Sequence, residues 1–270
     1  MIIFKSINKL NKEVNFKAPI GFIPTMGSLH KGHISLIKSS KKKCPKTLVS
    51  IFINPSQFNK KSDHKNYPRN LKKDILILKK LNVDYVLLPK LNEIYKNKRD
   101  MKISFNKKDK IMCAKFRPGH FEGVLAVINQ FLKKIKVSHI FLGAKDYQQF
   151  FLISKFIRNK FDIKIFLCET IRDKNKVALS SRNILLKKND LSKSSLISKL
   201  LLKLKTNPKN KFTLKKEIKK IRLKINNLEN VKIEYLEIRN KNNLSKNYNL
   251  RNFKIFLAYY INNVRLIDNY

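Results

Sequence analysis

Residues 24–33 read Pro-Thr-Met-Gly-Ser-Leu-His-Lys-Gly-His, directly after the apolar run Ile20-Gly21-Phe22-Ile23. Pro24 and Gly27 turn the chain at the end of a strand, Ile20–Pro24. Ile34–Lys43 beyond them carries the 3.6-residue period of an amphipathic helix. Strand, turn and helix in that order open a parallel α/β sheet, whose ligands gather outside the strand carboxyl ends. A helix N-terminus favours an anion through its amides and its dipole. His30 and His33 arrive at that first turn, three residues apart, where two imidazoles can hydrogen-bond one polyphosphate. A metal site is disfavoured, because no third His, Cys or carboxylate stands nearby in sequence.

The same alternation runs outward through the first 170 residues. Further strands are expected at Leu48–Asn54, Tyr85–Pro89, His139–Gly143 and Ile163–Cys168, with helices at Leu71–Leu81, Val124–Ile135 and Gln148–Phe161. The strands are apolar on both faces, as when helices cover both sides of a sheet. A hairpin-like insertion is expected around Lys102–Phe105. From Ile171 the character changes: helices near Leu191–Leu204 and Leu214–Leu228 precede strands near Val231–Arg239 and Phe253–Ile261. The reading is an α/β parallel-sheet domain over residues 1–171 and a smaller α+β domain over residues 172–270.

The chain holds only six glycines in 270 residues, at positions 21, 27, 32, 119, 123 and 143. An average composition would supply roughly 7%. Glycine so scarce is expected where a side chain is not tolerated, and three of the five histidines share its stretches. The net charge of +43 ordinarily suggests nucleic acid. Here the lysines are spread over the whole chain beside abundant Asn and Ile, a pattern of AT-rich coding sequence, so no specific nucleic-acid partner is expected. Cys44, Cys113 and Cys168 lack CxxC spacing, which indicates neither a disulfide scaffold nor a zinc site. No apolar run reaches the ~20 residues of a membrane span and no signal peptide is evident, so no membrane partner is expected and a cytoplasmic protein fits.

Four other segments end in chemistry. VSIFINPSQF (49–58) places Gln57 just past a strand end, where it either hydrogen-bonds a small polar substrate or caps a turn. FLGAKDYQQ (141–149) offers Gly143 for close backbone approach, Lys145 as a cation and Asp146 to orient donors. Its Gln148 and Gln149 are adjacent, so one faces a ligand and the other is surface or structural. ALSSRN (178–183) offers hydroxyls and a guanidinium fork for phosphate, or is a solvated loop. In RPGHFEGV (117–124), Arg117 and His120 bind ligand or cap the following helix.

PTMGSLHKGH has the HxGH arrangement of nucleotidyltransferases and class I aminoacyl-tRNA synthetases. With VSIFINPSQF, NYPR, RPGHFEGV, FLGAKDYQQ, ALSSRN and the terminal RLIDN, in collinear order over nearly the whole chain, it resembles the pantothenate synthetase (pantoate–β-alanine ligase) family. The resemblance implies a Rossmann-like domain with a smaller C-terminal lid, usually in a homodimer. It further implies ATP-dependent joining of pantoate to β-alanine with Mg²⁺, releasing AMP and pyrophosphate through a pantoyl adenylate. Carried over by position, Met26, Gly27, Ser28, Leu29, His30, Lys31, Gly32 and His33 would line the ATP site. His33 would be proton donor to pyrophosphate, and His30 and Lys145 catalytic beside it. Gly143, Ala144, Lys145, Asp146, Ile171, Leu179, Ser180, Ser181 and Arg182 would contact nucleotide. Gln57 and Gln149 would hold pantoate, with Gln57 also near β-alanine. The reaction gathers negative charge between two anions, which His30, His33, Lys145 and Arg182 would offset as donors and cations. Uncharged glutamines would orient pantoate without an ion pair that blunts its carboxylate.

Several positions depart from the pattern of the family. Ala144 replaces a usual Glu, Glu169 a common Pro, Cys113-Ala114 a Glu-Gly pair, and Lys176-Val177 a Gly-Leu pair. The change at 176 is expected to stiffen the lid hinge and slow turnover. Two rival readings are weaker. Another HxGH adenylyltransferase would need a second phosphate-binding loop, and a catalytically dead homologue would not keep His30, His33, Gln57, Lys145, Gln149 and Arg182 together.

Overall fold

The apolar runs around residues 20–33 become the middle of one parallel sheet because each is flanked by a helix long enough to cross back over it. The computed structural model describes every residue except Lys60 and Asn159. It divides into two units, Met1–Glu169 and Thr170–Tyr270. In the first unit the order is β1 (Ile2–Phe4), α1 (Ile7–Glu13), β2 (Ile20–Thr25), α2 (Lys31–Lys43), β3 (Lys46–Ile51), α3 (Lys61–Lys65) and α4 (Leu71–Lys80). Then come β4 (Tyr85–Leu87), α5 (Leu91–Ile94), α6 (Cys113–Phe116), α7 (His120–Lys134), β5 (His139–Gly143), α8 (Tyr147–Arg158) and β6 (Lys164–Cys168). The strands lie side by side as β1-β4-β3-β2-β5-β6, all parallel.

Successive residues of β2 serve opposite layers, as the two-residue strand period requires. Ile23 joins Leu36 and Ile37 of α2 and Leu78 of α4 in one core cluster. Phe22 meets Phe131 of α7 edge-on, with ring centroids 5.3 Å apart. Strands buried on both faces explain the unbroken apolar runs.

Two sequence expectations need correction, and two elements went unread. Residues 102–105 form no hairpin: residues 98–116 hold short helical turns at Lys98–Met101, Lys107–Asp109 and Cys113–Phe116, with Ile103 N–H bonded to Glu122 O at 3.2 Å. The run predicted as a strand to Asn54 ends at Ile51, because Pro55 starts a 3-10 turn, Pro55–Gln57, capped by the Asn54 side chain. The edge strand β1 and helix α1 were not anticipated. Three residues at an edge are too few to show a period.

The second unit contains α9 (Lys188–Thr206), α10 (Lys211–Asn226) and an antiparallel sheet of β7 (Val231–Asn240), β8 (Phe253–Ile261) and β9 (Val264–Asn269). Alternate residues of β8 (Phe253, Ile255, Leu257, Tyr259 and Ile261) pack with Ile197 and Leu201 of α9 and Ile218 and Ile225 of α10. The RLIDN segment, quoted above only as a motif, is the body of β9. Its Asp268 is buried and receives both terminal nitrogens of Arg172, at 2.7 and 2.8 Å.

Candidate active site

The sheet order sets where a ligand binds. From β2 the chain winds to β3 and β4 on one side, and it later returns to lay β5 against the other side of β2. That reversal opens a crevice at the carboxyl ends of β2 and β5. PTMGSLHKGH follows β2 and GAKDYQQ follows β5, so the fold brings these two segments to one place.

His30 is the N-cap of α2 and His33 its third residue. The Gly32 N–H donates to His30 Nδ1 at 3.1 Å, and the His30 N–H donates to His33 Nδ1 at 3.3 Å. The two imidazoles form a capping box normally built from Ser or Thr with Glu. Their ring centroids are 4.2 Å apart. Burial, and then the Lys145 ammonium, lower the His30 pKa to about 4, against the opposing pull of Asp146. Burial, His30 and Lys145 lower that of His33 to about 3. Both rings are therefore neutral at pH 7. With each Nδ1 accepting, the single proton lies on Nε2.

The rings present Nε2–H groups as hydrogen-bond donors, and the His30 and Gly32 amides are already taken by imidazole nitrogen.

The lowered values make the fold acid-sensitive. Above pH 6.5 both imidazoles are neutral folded or unfolded, so the full stability is present. Below it the unfolded chain gains protons that the folded one refuses until about pH 4 and 3. Stability should fall by up to about 4 kcal/mol between pH 7 and pH 5, roughly half from each ring. Denaturant midpoints at the two pH values check this, with His33→Asn expected to halve the loss. Equal slopes in variant and wild type would disprove the assignment.

Lys145 and Asp146 follow β5 in a 3-10 turn, Ala144–Asp146, with Nζ 3.4 Å from Asp146 Oδ1. The Lys145 charge is felt at both imidazoles. Of the two glutamines, Gln148 is buried and donates to Ile111 O at 2.7 Å, whereas Gln149 is only half-buried. Gly143 has open space where a Cβ would stand.

Gln57 is buried and held by its main chain. Its carbonyl accepts from His120 Nδ1 at 2.7 Å and from Arg117 Nη2 at 3.3 Å. Arg117 Nη1 meets His120 Nε2 at 2.8 Å. Since the carbonyl can only accept, His120 carries its proton on Nδ1, the opposite tautomer to His30 and His33. Arg117 and His120 are thus a clamp on the Gln57 turn. Beneath it Asn54 is fully buried: its Nδ2 donates to Gly123 O at 3.1 Å, and its Oδ1 accepts from Tyr95 Oη at 3.0 Å.

Ile171, Leu179, Ser180, Ser181 and Arg182 belong to the second unit. The Leu179 N–H bonds Ile171 O at 3.0 Å, and Ser180 Oγ caps the 3-10 turn Ser181–Leu185 by accepting from Arg182 N–H at 3.2 Å. Between them Arg172 bridges Ala178 around a tight turn. Asp173 Oδ1 accepts from the Asn175 and Val177 amides, both at 2.9 Å, and Arg172 Nη1 donates to Lys176 O at 3.0 Å. Lys176 carries φ +70°, a conformation glycine adopts freely. Lys176→Gly is expected to stabilise the second unit by about 1 kcal/mol in urea denaturation, with kcat read alongside. An unchanged midpoint would mean that no strain is stored there.

A family model described as pantoate-beta-alanine ligase matches residues 2–270. The chain belongs to the pantoate–β-alanine ligase family. A pantothenate synthetase from Pseudothermotoga lettingae is 40% identical over 190 residues, 69% of this chain and 68% of that one. The pantothenate synthetase structure from Thermus thermophilus matches with a TM-score of 0.91 at 26% identity, over 100% of this chain and 99% of the other. The pantoate-beta-alanine ligase of Francisella tularensis, complexed with beta-gamma ATP and beta-alanine, matches with a TM-score of 0.83 at 36% identity, over 100% and 97%.

In this member of the pantoate–β-alanine ligase family, sequence reasoning missed the supports beneath the site. Asp74 on α4 accepts from the Ser28 and Leu29 amides at 2.8 and 2.7 Å. Its signal was present: an acidic residue one turn before buried Leu78 in the otherwise basic segment LKKDILILKK. Tyr95, under Asn54, gave no signal, because only the tertiary fold brings residues 41 positions apart together.

Proposed function

We propose that this chain joins pantoate to β-alanine at the expense of ATP, through a pantoyl adenylate, with release of AMP and pyrophosphate. The observation that carries the reading is the pair of neutral, Nε2-protonated imidazoles beside Lys145 at the sheet's switch point, in a chain of this family. Pantoate carboxylate attacks the α-phosphorus, and the charge that accumulates on the phosphoryl oxygens meets donors fixed in advance, which need little reorganisation. His33 and His30 act as hydrogen-bond donors to the polyphosphate, with Lys145 supplying positive charge. His33 is the proton donor to the departing pyrophosphate in this reading, since the polyphosphate charge raises the basicity of an imidazole that is neutral without it. Met26–Leu29, Lys31, Gly32, Gly143, Ala144 and Asp146 complete the nucleotide site of the first unit. Ile171, Leu179, Ser180, Ser181 and Arg182 are the nucleotide contacts assigned to the second.

Gln57 and Gln149 orient pantoate, and the β-alanine amine then attacks the mixed anhydride. That anhydride has to be kept from water until the amine has reacted. Mg²⁺ would enter with the ATP phosphates, whose charge it offsets. We assign the protein to the cytoplasm as a homodimer on family resemblance. Among the described residues no helix is long and apolar enough to cross a membrane. The deciding assay is product formation from ATP and Mg²⁺: pyrophosphate with pantoate alone in a single turnover, and AMP with sustained turnover only when β-alanine is added. A folded sample yielding neither product overturns the proposal.

A further inference from the structure

Asp74 is 2% exposed, in the first turn of α4, and binds no side chain of the candidate site. Its carboxylate instead spans the turn that leads into that site, Oδ2 on the Ser28 amide and Oδ1 on the Leu29 amide. The turn is unusual. Gly27 at φ +76° and Ser28 at φ +52° are consecutive left-handed residues, and Ser28 has a side chain to accommodate. Successive amides in such a bend form a concave nest of donors, of the kind that binds phosphate. Here a protein carboxylate occupies the nest. A Cβ at Gly27 would stand 2.9 Å from Asp74 Oδ2 and 3.1 Å from Ile51 Cγ2, so the turn is packed shut around its anion.

Leu29, the second amide held, is the residue before the N-cap His30. The direction in which His30 leaves the turn therefore follows from where Asp74 holds Leu29. His33 follows in turn, because its Nδ1 takes the His30 amide. We propose that Asp74 is a positioning residue for ATP: an internal anion that fixes where the two Nε2–H donors point, and that touches no substrate. The statement about ATP rests on the ligase reading above, whereas the statement about the imidazoles does not.

The test is Asp74→Asn, which keeps one acceptor and puts an NH₂ against the other amide. In the wild type, nitrogen NMR should show His30 and His33 protonated on Nε2 and titrating well below 6.5. In the variant both should titrate closer to 6.5 with mixed tautomers. The kcat/KM for ATP should fall at least ~30-fold, while the KM for β-alanine stays within about twofold. Should the single variant not fold, Ser28→Gly/Asp74→Asn relieves the left-handed serine and keeps the pin removed, and the same changes are expected. A folded variant with wild-type imidazole signals and wild-type ATP kinetics, but a lower Tm, would show that Asp74 is structural only. If the wild type makes no AMP, the ligase reading fails and the NMR result alone judges Asp74.

Discussion

His33→Ala is expected to lower AMP formation from ATP, pantoate and β-alanine at least ~100-fold in a protein that remains folded. One preorganised donor to a developing oxyanion is worth about 10²–10³ in rate. The same change removes the acceptor for the His30 amide, half of the capping box. That loss costs about 1 kcal/mol, too little to unfold the domain. The two effects can be separated with His33→Asn, whose side-chain oxygen can cap but whose nitrogen falls short of the Nε2 position. Asparagine should restore most of the stability and little of the activity. Steady-state AMP release and a urea midpoint on both variants decide it. Alanine activity within fivefold of wild type would remove His33 from the mechanism.

Gly123→Ala should damage the other half of the site. A Cβ there would run into Ser56 O and lie 2.5 Å from Ser56 C and 2.8 Å from Ser56 Oγ. Two of these atoms are main chain, so α7 and the Pro55–Gln57 turn would have to separate. That would strain the bond from Asn54 Nδ2 to Gly123 O and move Gln57 with the turn. Overpacking of this kind costs typically 1–3 kcal/mol, and a backbone neighbour places the expected loss near ~3. The KM for pantoate should rise about tenfold, with that for ATP nearly unchanged. The same change at Gly143, where nothing lies within 4 Å, should leave stability within about 0.5 kcal/mol. Denaturation of both variants makes the comparison. Equal midpoints would mean that α7 is free to move away.

The sheet was legible because β2 to β5 are largely buried on both faces and punctuated by Gly and Pro, whereas β6 is a half-exposed edge. His139–Gly143 was read to the residue. His30 and His33 were legible as a pair through their position in the strand-turn-helix unit. Their charge state was not, since it depends on burial and on Lys145, which is 112 and more residues away. The glycines were only partly understood. Left-handed backbone occurs at Ser28, Met112, Lys176 and Leu244, where other residues accept the strain. Gly21, Gly32 and Gly123 instead stand where a Cβ would come within 3 Å of a neighbour, and Gly27 combines such a contact with φ +76°. Scarce glycine here marks filled space more reliably than it marks torsion. Residues 102–105 were misread because alternation of Lys, Ile, Ser and Phe over four residues cannot distinguish a strand from an extended connection.

The capping box of α2 has a further consequence for how such a chain can decay. In many enzymes the reactive groups are a burden on the fold, and a lineage that no longer needs the reaction gains robustness by discarding them. Here the two imidazoles also start the helix that carries Leu36 and Ile37 into the core. Drift that erases the chemistry therefore erodes the scaffold at the same step. A copy retained only for its shape would be selected to keep a cap at positions 30 and 33, which Ser or Asn also supplies, so imidazoles kept at both positions report on turnover and a cap without them on architecture alone.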